Sequence, residues 1–103
     1  ISLVTVLPWL SPLVSAEPGH GTAEMILLVK PQFEVGRAEA SRGRGVITDP
    51  ALHAASVDAV SRAAEALGWS VTGRMESPLR GQDGNTEFLL HLELTRSSGA
   101  GEP

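Results

Sequence analysis

The stretch Met25-Ile26-Leu27-Leu28-Val29-Lys30-Pro31-Gln32-Phe33-Glu34 decides the fold, because an apolar run ends directly in a lysine and a proline. An unbroken apolar run predicts a strand buried on both faces, as in parallel sheets covered by helices. A buried ammonium without a partner is costly, so Lys30 should leave the core where the strand ends. Pro31 cannot donate to a sheet ladder and fixes its own φ, which predicts that the lysine is held at the strand tip.

The composition around this stretch is that of one globular domain. The chain has 103 residues, 42% of them hydrophobic, and a mean hydropathy of +0.04. The absence of cysteine excludes disulfides and thiol chemistry, and it is compatible with the reducing cytoplasm that we expect as the compartment. The net charge of −4 gives no basic footprint for nucleic acid, so contact with RNA would need local arginines or another domain.

Turn residues and helix caps divide the rest of the chain into elements. Ser2 can cap a first helix that Pro8 kinks or delays, and Asp49 with Pro50 opens the clearest helix. In chain order we predict a helix over 1–16, the strand over 22–30, a loop over 36–48, a helix over 50–67, a strand over 69–76, a turn over 77–85, a strand over 86–95 and a disordered tail over 97–103. The chain starts within an apolar run and without methionine, so we expect a piece of a longer protein.

The order of the elements predicts an α/β fold. A strand, a helix and a strand in one sheet form a right-handed parallel crossover, and the short link to the last strand makes that strand antiparallel. The predicted sheet therefore has the spatial order first, third, second, with helices on its faces. The outer edge of the first strand would be unpaired, which makes self-association possible.

This topology brings two residues together that are far apart in the sequence. Lys30 ends the first strand and Glu87 lies near the start of the third, at the same rim of the sheet. A carboxylate there can orient an ammonium or tune its pKa, and a lysine can accept a proton or stabilise an oxyanion. A structural salt bridge at the rim is the alternative interpretation.

Several blocks of the sequence, in one order, resemble the carboxyl-terminal half of TlyA-type proteins. These are FtsJ-like ribosomal RNA 2′-O-methyltransferases, often labelled hemolysin A. The resemblance extends from Ile1 to about Leu94, and the blocks are residues 28–34 with Gly36, residues 45–50 with His53, residues 77–79 with Gly81, and residues 84–90.

The resemblance implies a Rossmann-like domain that moves a methyl group from S-adenosylmethionine to a ribose 2′-hydroxyl. The family uses a Lys-Asp-Lys-Glu tetrad, whose third member falls on Lys30 and whose fourth falls on Glu87. By analogy Lys30 would deprotonate the hydroxyl or stabilise its oxyanion, and Glu87 would hold Lys30 in place.

The same resemblance implies that parts of the machinery lie outside this sequence. The first lysine, the aspartate and the glycine-rich cofactor loop have no match, so the cofactor-binding residues stay unassigned. Residues 1–96 would be the carboxyl-terminal half of the catalytic domain, inactive by itself. Ribosomal RNA or a ribosomal subunit would be bound through an upstream domain.

The remaining polar residues are weaker candidates. Arg37, Arg42 and Arg44 could contact RNA phosphates, although loop arginines are commonly solvated. The family usually has paired glycines where this chain has Gly43-Arg44-Gly45, so the path of this loop departs from the pattern. The histidines lack ligand spacing, and no metal site is predicted among His20, His53 and His91.

Two other functions compete with methyl transfer. A membrane-active hemolysin-like protein would need a spanning segment or a basic amphipathic helix, and the sequence offers neither. A non-catalytic α/β interaction module would keep the fold without the reaction. Trp9 and Trp69 are interpreted as core or interface residues rather than base-stacking platforms, because neither has a second aromatic residue beside it.

Overall fold

The computed structural model describes residues 2–15, 21–36 and 42–96. His20, Arg37 and the predicted tail at 97–103 lie outside these ranges. The elements in chain order are α1 (Leu3–Ser15), β1 (Gly21–Val29), α2 (Pro31–Glu34), α3 (Pro50–Ala66), β2 (Ser70–Glu76), a 3₁₀ turn (Gln82–Gly84) and β3 (Phe88–Arg96). The short helix α2 was not predicted, and it begins at the proline that ends the strand.

The three strands form one sheet in the order β1-β3-β2, so the predicted strand order is confirmed. Both hydrogen-bonded pairs are antiparallel, with Gly21 opposite Arg96 and Val29 opposite Phe88 in the first pair. The outer strands β1 and β2 therefore point the same way without bonding to each other. Within the described ranges, β1 pairs only with β3, which leaves its other edge open.

The core lies on one face of this sheet. Apolar side chains of β1 and β3 pack there against α1 and α3, which contact each other. The fully buried members of the cluster are Leu7, Val29, Val60, Ala64, Leu90 and Leu92. Because both helices cover the same face, the described structure has two layers, a sheet and a helical layer.

The expectation that the first strand is buried on both faces is wrong for the described residues. Burial alternates along β1: Met25 and Leu27 are buried, whereas Glu24, Ile26 and Leu28 are exposed. The exposed fraction of Ile26 is 70%. The helices were expected on both faces, but no described helix covers this second face, which we call the open face.

Helix α1 is tied to the segment that follows β1. The Ser2 hydroxyl donates to Oε1 of Glu34 at 2.7 Å, and the Leu3 amide donates to Oε2 of Glu34 at 2.6 Å. Ser2 also accepts from the Val4 amide at 3.1 Å, as a cap does. The predicted cap is therefore present, and a carboxylate from a distant segment shares its task.

Helix α3 has the predicted start and end. Oδ1 of Asp49 accepts from the Ala51 amide at 2.9 Å, Pro50 occupies the first turn, and Gly68 adopts a φ of 96° just past the last turn. Trp69 follows as a buried residue whose indole N–H donates to the Ser11 hydroxyl at 2.8 Å. This bond fixes the entry to β2 against α1, so Trp69 is a core residue, as predicted.

Candidate functional site

Lys30 and Glu87 lie at the same end of the sheet. Val29 and Phe88 form the last pair of the β1–β3 ladder, Lys30 follows the first of them and Glu87 precedes the second. Lys30 is the N-cap residue of α2, with extended backbone angles (φ −112°, ψ 99°), and Pro31 is the first helical residue. The chain therefore turns away at Pro31, and the lysine stands at the strand tip.

The Lys30 ammonium is not paired with Glu87. Its Nζ atom lies 6.0 Å from the centre of the Phe33 ring, a weak cation–π contact. Among residues 2–15, 21–36 and 42–96, no carboxylate lies within ion-pair distance of Nζ. The predicted meeting of the two residues at the rim is present in the backbone, whereas the ion pair is absent.

Glu87 is a buried carboxylate, with 5% of the residue exposed. Its carboxylate occupies the space that a Cβ atom on Gly81 would fill, so residue 81 has to be glycine for this rotamer. The Gln32 amide nitrogen donates to Oε2 of Glu87 at 3.2 Å, and the Glu87 carbonyl accepts from the Ser77 amide at 2.8 Å. Contacts from α2 and from the turn before β3 therefore hold this side chain, and the bond from Ser77, just past β2, holds its backbone.

The oxygen of the Gln32 amide has no hydrogen-bond partner among the described residues. Its Oε1 atom is buried from solvent, and in the part of the chain that the structure describes no donor reaches it. Buried amide oxygens are nearly always hydrogen-bonded, so an orphan beside a functional candidate needs an explanation. The sequence contained Gln32 two residues after Lys30, but nothing in that spacing revealed its contact with Glu87.

Asn85 joins the two loops that frame this rim. It is 2% exposed, and its Oδ1 atom accepts from the Ile47 amide at 2.9 Å. Its Nδ2 atom donates to the carbonyls of Gly45 at 2.8 Å and Gln82 at 3.0 Å. The sequence indicated a turn here, and the left-handed φ of Asp83 (58°) and Gly84 (80°) confirms it, but the clamp made by Asn85 was missed.

The loop arginines are placed only in part. Arg42 and Arg44 are exposed, and Arg37 lies outside the described residues. Arg44 has a φ of 56°, a left-handed conformation that costs a non-glycine residue about 1–2 kcal/mol. A glycine would adopt this conformation without strain, so an arginine at a position where the family usually has a glycine makes this loop less stable.

A large cleft in the described structure does not contain the candidate pair. It has a volume of about 550 Å³ and lies between α3, the end of β2 and the start of β3. Arg74 and Arg80 line it, and each has a carboxylate nearby: Asp58 at 3.5 Å and Glu76 at 4.0 Å. Since these guanidinium groups are half exposed and already have acidic neighbours, the cleft offers little net charge to a ligand.

One histidine has carboxylate neighbours that the sequence spacing did not show. His91 Nε2 lies 2.7 Å from Oε1 of Glu24, and Glu93 is the residue paired with Glu24 across the ladder. Ligand atoms of all three lie within 4.8 Å of one another on the open face. The ring already has a hydrogen-bond partner in Glu24, and His53 bonds to the Ile47 carbonyl. This cluster lies apart from Lys30 and Glu87.

None of the described helices has the length and apolarity that crossing a membrane requires. The longest of them, α3, is 17 residues.

Comparisons with known proteins give the site a family context. Residues 5–94 match the family model of FtsJ-like methyltransferases. A 16S/23S rRNA (cytidine-2′-O)-methyltransferase TlyA of Mycobacterium tuberculosis is 49% identical over 92 residues, which are 89% of this chain and 32% of that protein. Hemolysin A of Brachyspira hyodysenteriae is 37% identical over 68 residues, 65% of this chain and 28% of that protein.

A solved structure supports the same relationship. A crystal structure from Lactococcus lactis, titled a "putative hemolysin", has a TM-score of 0.76 and 42% sequence identity, and the match covers 90% of this chain and 41% of that one. The chain therefore spans about a third of the length of the curated relatives it matches.

Proposed function

This chain belongs to the FtsJ-like methyltransferase family, and we therefore propose that it supplies Lys30 and Glu87 to a site that methylates a ribose 2′-hydroxyl of ribosomal RNA. One observation carries the proposal. Glu87 is a buried carboxylate, and among the described residues it has no counter-ion and the Lys30 ammonium at the same rim has no acceptor. Lys30 is also the only lysine in the sequence, so no other lysine of this chain can take its role.

The reaction needs a group that handles the hydroxyl proton. Methyl transfer forms an oxygen–carbon bond, breaks a sulfur–carbon bond and releases the proton of the hydroxyl. Lys30 would accept that proton or, as the ammonium, stabilise the negative charge that develops on the oxygen. Glu87 would hold the Lys30 side chain in the orientation that this task requires.

S-Adenosylmethionine, when bound, supplies the methyl group. The polar groups described at this rim fit the methyl-accepting hydroxyl, because an ammonium can donate a hydrogen bond to its oxygen, whereas a carboxylate and the amide oxygen of Gln32 can accept one. No residue of this chain is assigned to the cofactor. We place the cofactor pocket in the part of the relatives that the match leaves uncovered.

The same proposal includes the domain, the partners and the compartment. Residues 1–96 are the carboxyl-terminal half of a Rossmann-like catalytic domain, whose sheet continues along the open edge of β1. RNA or a ribosomal subunit is bound through another domain, with Arg37, Arg42 and Arg44 as candidates for contact with phosphate. A ribosomal RNA substrate supports the cytoplasm as the compartment.

The test uses the complete protein that contains this sequence. Methyl transfer to ribosomal subunits is measured for the unmodified protein, for Lys30→Ala and for Glu87→Gln. Glu65→Gln is the matched control, because Glu65 is exposed on α3, far along the sequence from either loop of the rim. We expect losses of about a hundredfold or more for the two site variants and an unchanged rate for the control.

The alternatives predict different results. Full activity of Lys30→Ala would overturn the role of the lysine. A complete protein that binds ribosomal subunits but transfers no methyl group would indicate a non-catalytic module. Leakage of lipid vesicles at micromolar protein would instead support the membrane-active function that the name of the Brachyspira relative suggests.

A further inference from the structure

Two groups at the tip of β1 have no hydrogen-bond partner among the described residues, and their chemistry is complementary. Within the described part of the chain, the Lys30 ammonium lies over the Phe33 ring, and Glu34, which lines the same pocket, is not within ion-pair distance of it. Oε1 of Gln32 is a buried acceptor that no described donor reaches. The two residues are separated by Pro31 alone, and both belong to the start of α2.

The orientation of the Gln32 amide follows from its neighbour. A carboxylate only accepts hydrogen bonds, so the nitrogen of the amide has to face Glu87, as it does at 3.2 Å. A planar amide with its nitrogen fixed has its oxygen fixed as well. Oε1 therefore belongs to the same amide group as the nitrogen that contacts Glu87, and the two side chains place their acceptor atoms at the same rim of the sheet.

The Lys30 ammonium is held weakly in its present position and can move to a different one. A cation about 6.0 Å from a ring that is itself half exposed is held weakly. A lysine has a flexible four-carbon stem, so its ammonium can move without any change in the backbone. Hydrogen bonds from an ammonium to a carboxylate and to an amide oxygen are stronger than this contact.

We propose that Gln32 is a positioning residue of the methyl-transfer site: its Nε2 fixes Glu87, and its Oε1 joins the Glu87 carboxylate in receiving the Lys30 ammonium. This inference rests on the proposed function, and it adds a residue that acts through the other two. A purely structural amide would tie α2 to the turn before β3 and would need no orphaned oxygen. The unpaired Oε1 of Gln32 is explained if it accepts a hydrogen bond from the Lys30 ammonium in the working site.

The first test is kinetic and uses the complete protein. Gln32→Met keeps the length of the side chain and removes both polar atoms. We expect kcat to fall about tenfold to a hundredfold, because a hydrogen bond to a charged group is lost, while KM for RNA and for S-adenosylmethionine stays within about twofold. Gln82→Met is the matched control, since the Gln82 side chain is exposed. An unchanged kcat of Gln32→Met would overturn the inference.

The kinetic outcomes separate this inference from the proposed function. If Lys30→Ala and Glu87→Gln abolish transfer while Gln32→Met keeps its kcat, the function stands and the role of Gln32 is wrong. If Lys30→Ala keeps its activity, the proposed function fails, and the role of Gln32 fails with it.

The second test is spectroscopic and needs no reaction. Because Lys30 is the only lysine, labelling this chain with [¹⁵Nζ]lysine gives a single ammonium resonance. We expect Gln32→Met to shift this resonance and Gln82→Met to leave it in place. Glu87→Gln removes the charge of the acceptor pair and should also shift it, so an unshifted resonance in Glu87→Gln would overturn the inference even if Gln32→Met fails to fold. A resonance that is the same in Gln32→Met, Glu87→Gln and the unmodified chain would overturn the inference.

Discussion

The carboxylate of Glu87 occupies the position that a Cβ atom on residue 81 would need, because Gly81 has no side chain. We predict that Gly81→Ala displaces this carboxylate and breaks its bond to Gln32. Overpacking of this kind should lower the free energy of unfolding by about 1–3 kcal/mol. Methyl transfer by the complete protein should fall by about a hundredfold, because misplaced groups lose orientation.

The control for this substitution is Gly36→Ala. A Cβ atom on residue 36 meets no atom within 4 Å, so both stability and activity should stay unchanged. Urea unfolding followed by circular dichroism measures the first quantity, and transfer of a labelled methyl group measures the second. Equal effects of the two alanines would show that Glu87 does not depend on Gly81.

The clamp made by Asn85 provides a second prediction. Asn85→Ala leaves the Ile47 amide and the Gly45 carbonyl without their partner. We expect destabilisation of about 1–3 kcal/mol for each group that stays buried and unpaired, measured by urea unfolding. Gln82→Ala removes an exposed side chain from the same turn and should change stability little. Equal midpoints for the two variants would contradict the clamp.

A third prediction concerns the carboxylate that caps α1. Glu34→Gln retains one acceptor but removes the charge that receives the Ser2 hydroxyl and the Leu3 amide. The expected loss of stability is about 1–2 kcal/mol, in the range of a lost N-terminal cap. Glu65→Gln changes the same group on an exposed part of α3 and serves as the control. A Glu34→Gln midpoint equal to that of the control would contradict the role of Glu34 in capping α1.

The open face provides a fourth prediction. An unpaired edge beside exposed apolar side chains favours contact between copies, so this chain should self-associate at high concentration. Ile26→Lys places a charge on the open face and should shift sedimentation toward the monomer. Leu79→Lys alters a side chain of similar exposure, 76%, that lies off the sheet, and should have no such effect. A sharp monomer peak of the unmodified chain at every concentration would refute the prediction.

Local signals in the sequence predicted much of this fold. Asp49 and Pro50 predicted the start of α3, and Gly68 its end, because caps act within a few residues of themselves. The strand order followed from the lengths of the connections. The helix ends depend only on residues next to them in the sequence, and the strand order depends only on connection lengths and the handedness of crossovers.

The errors and omissions concern tertiary contacts. The apolar run of β1 was interpreted as buried on both faces, since a sequence does not tell which face its own helices leave open. The topology predicted the shared rim of Lys30 and Glu87, but a rotamer depends on packing, and the ammonium lies over Phe33 instead. The contacts of Gln32 and Asn85 join segments that no local pattern connects.

The short segment from Lys30 to Glu34 sets a rule for recombining this protein with its relatives. Gln32 reaches forward to Glu87, whereas Glu34 reaches back to the start of α1. In a chimera with its crossover between α1 and β1, Ser2 would come from one parent and its partner Glu34 from the other. Crossovers placed ahead of Ser2 keep both partnerships within one parent, and those hybrids should be the ones that fold.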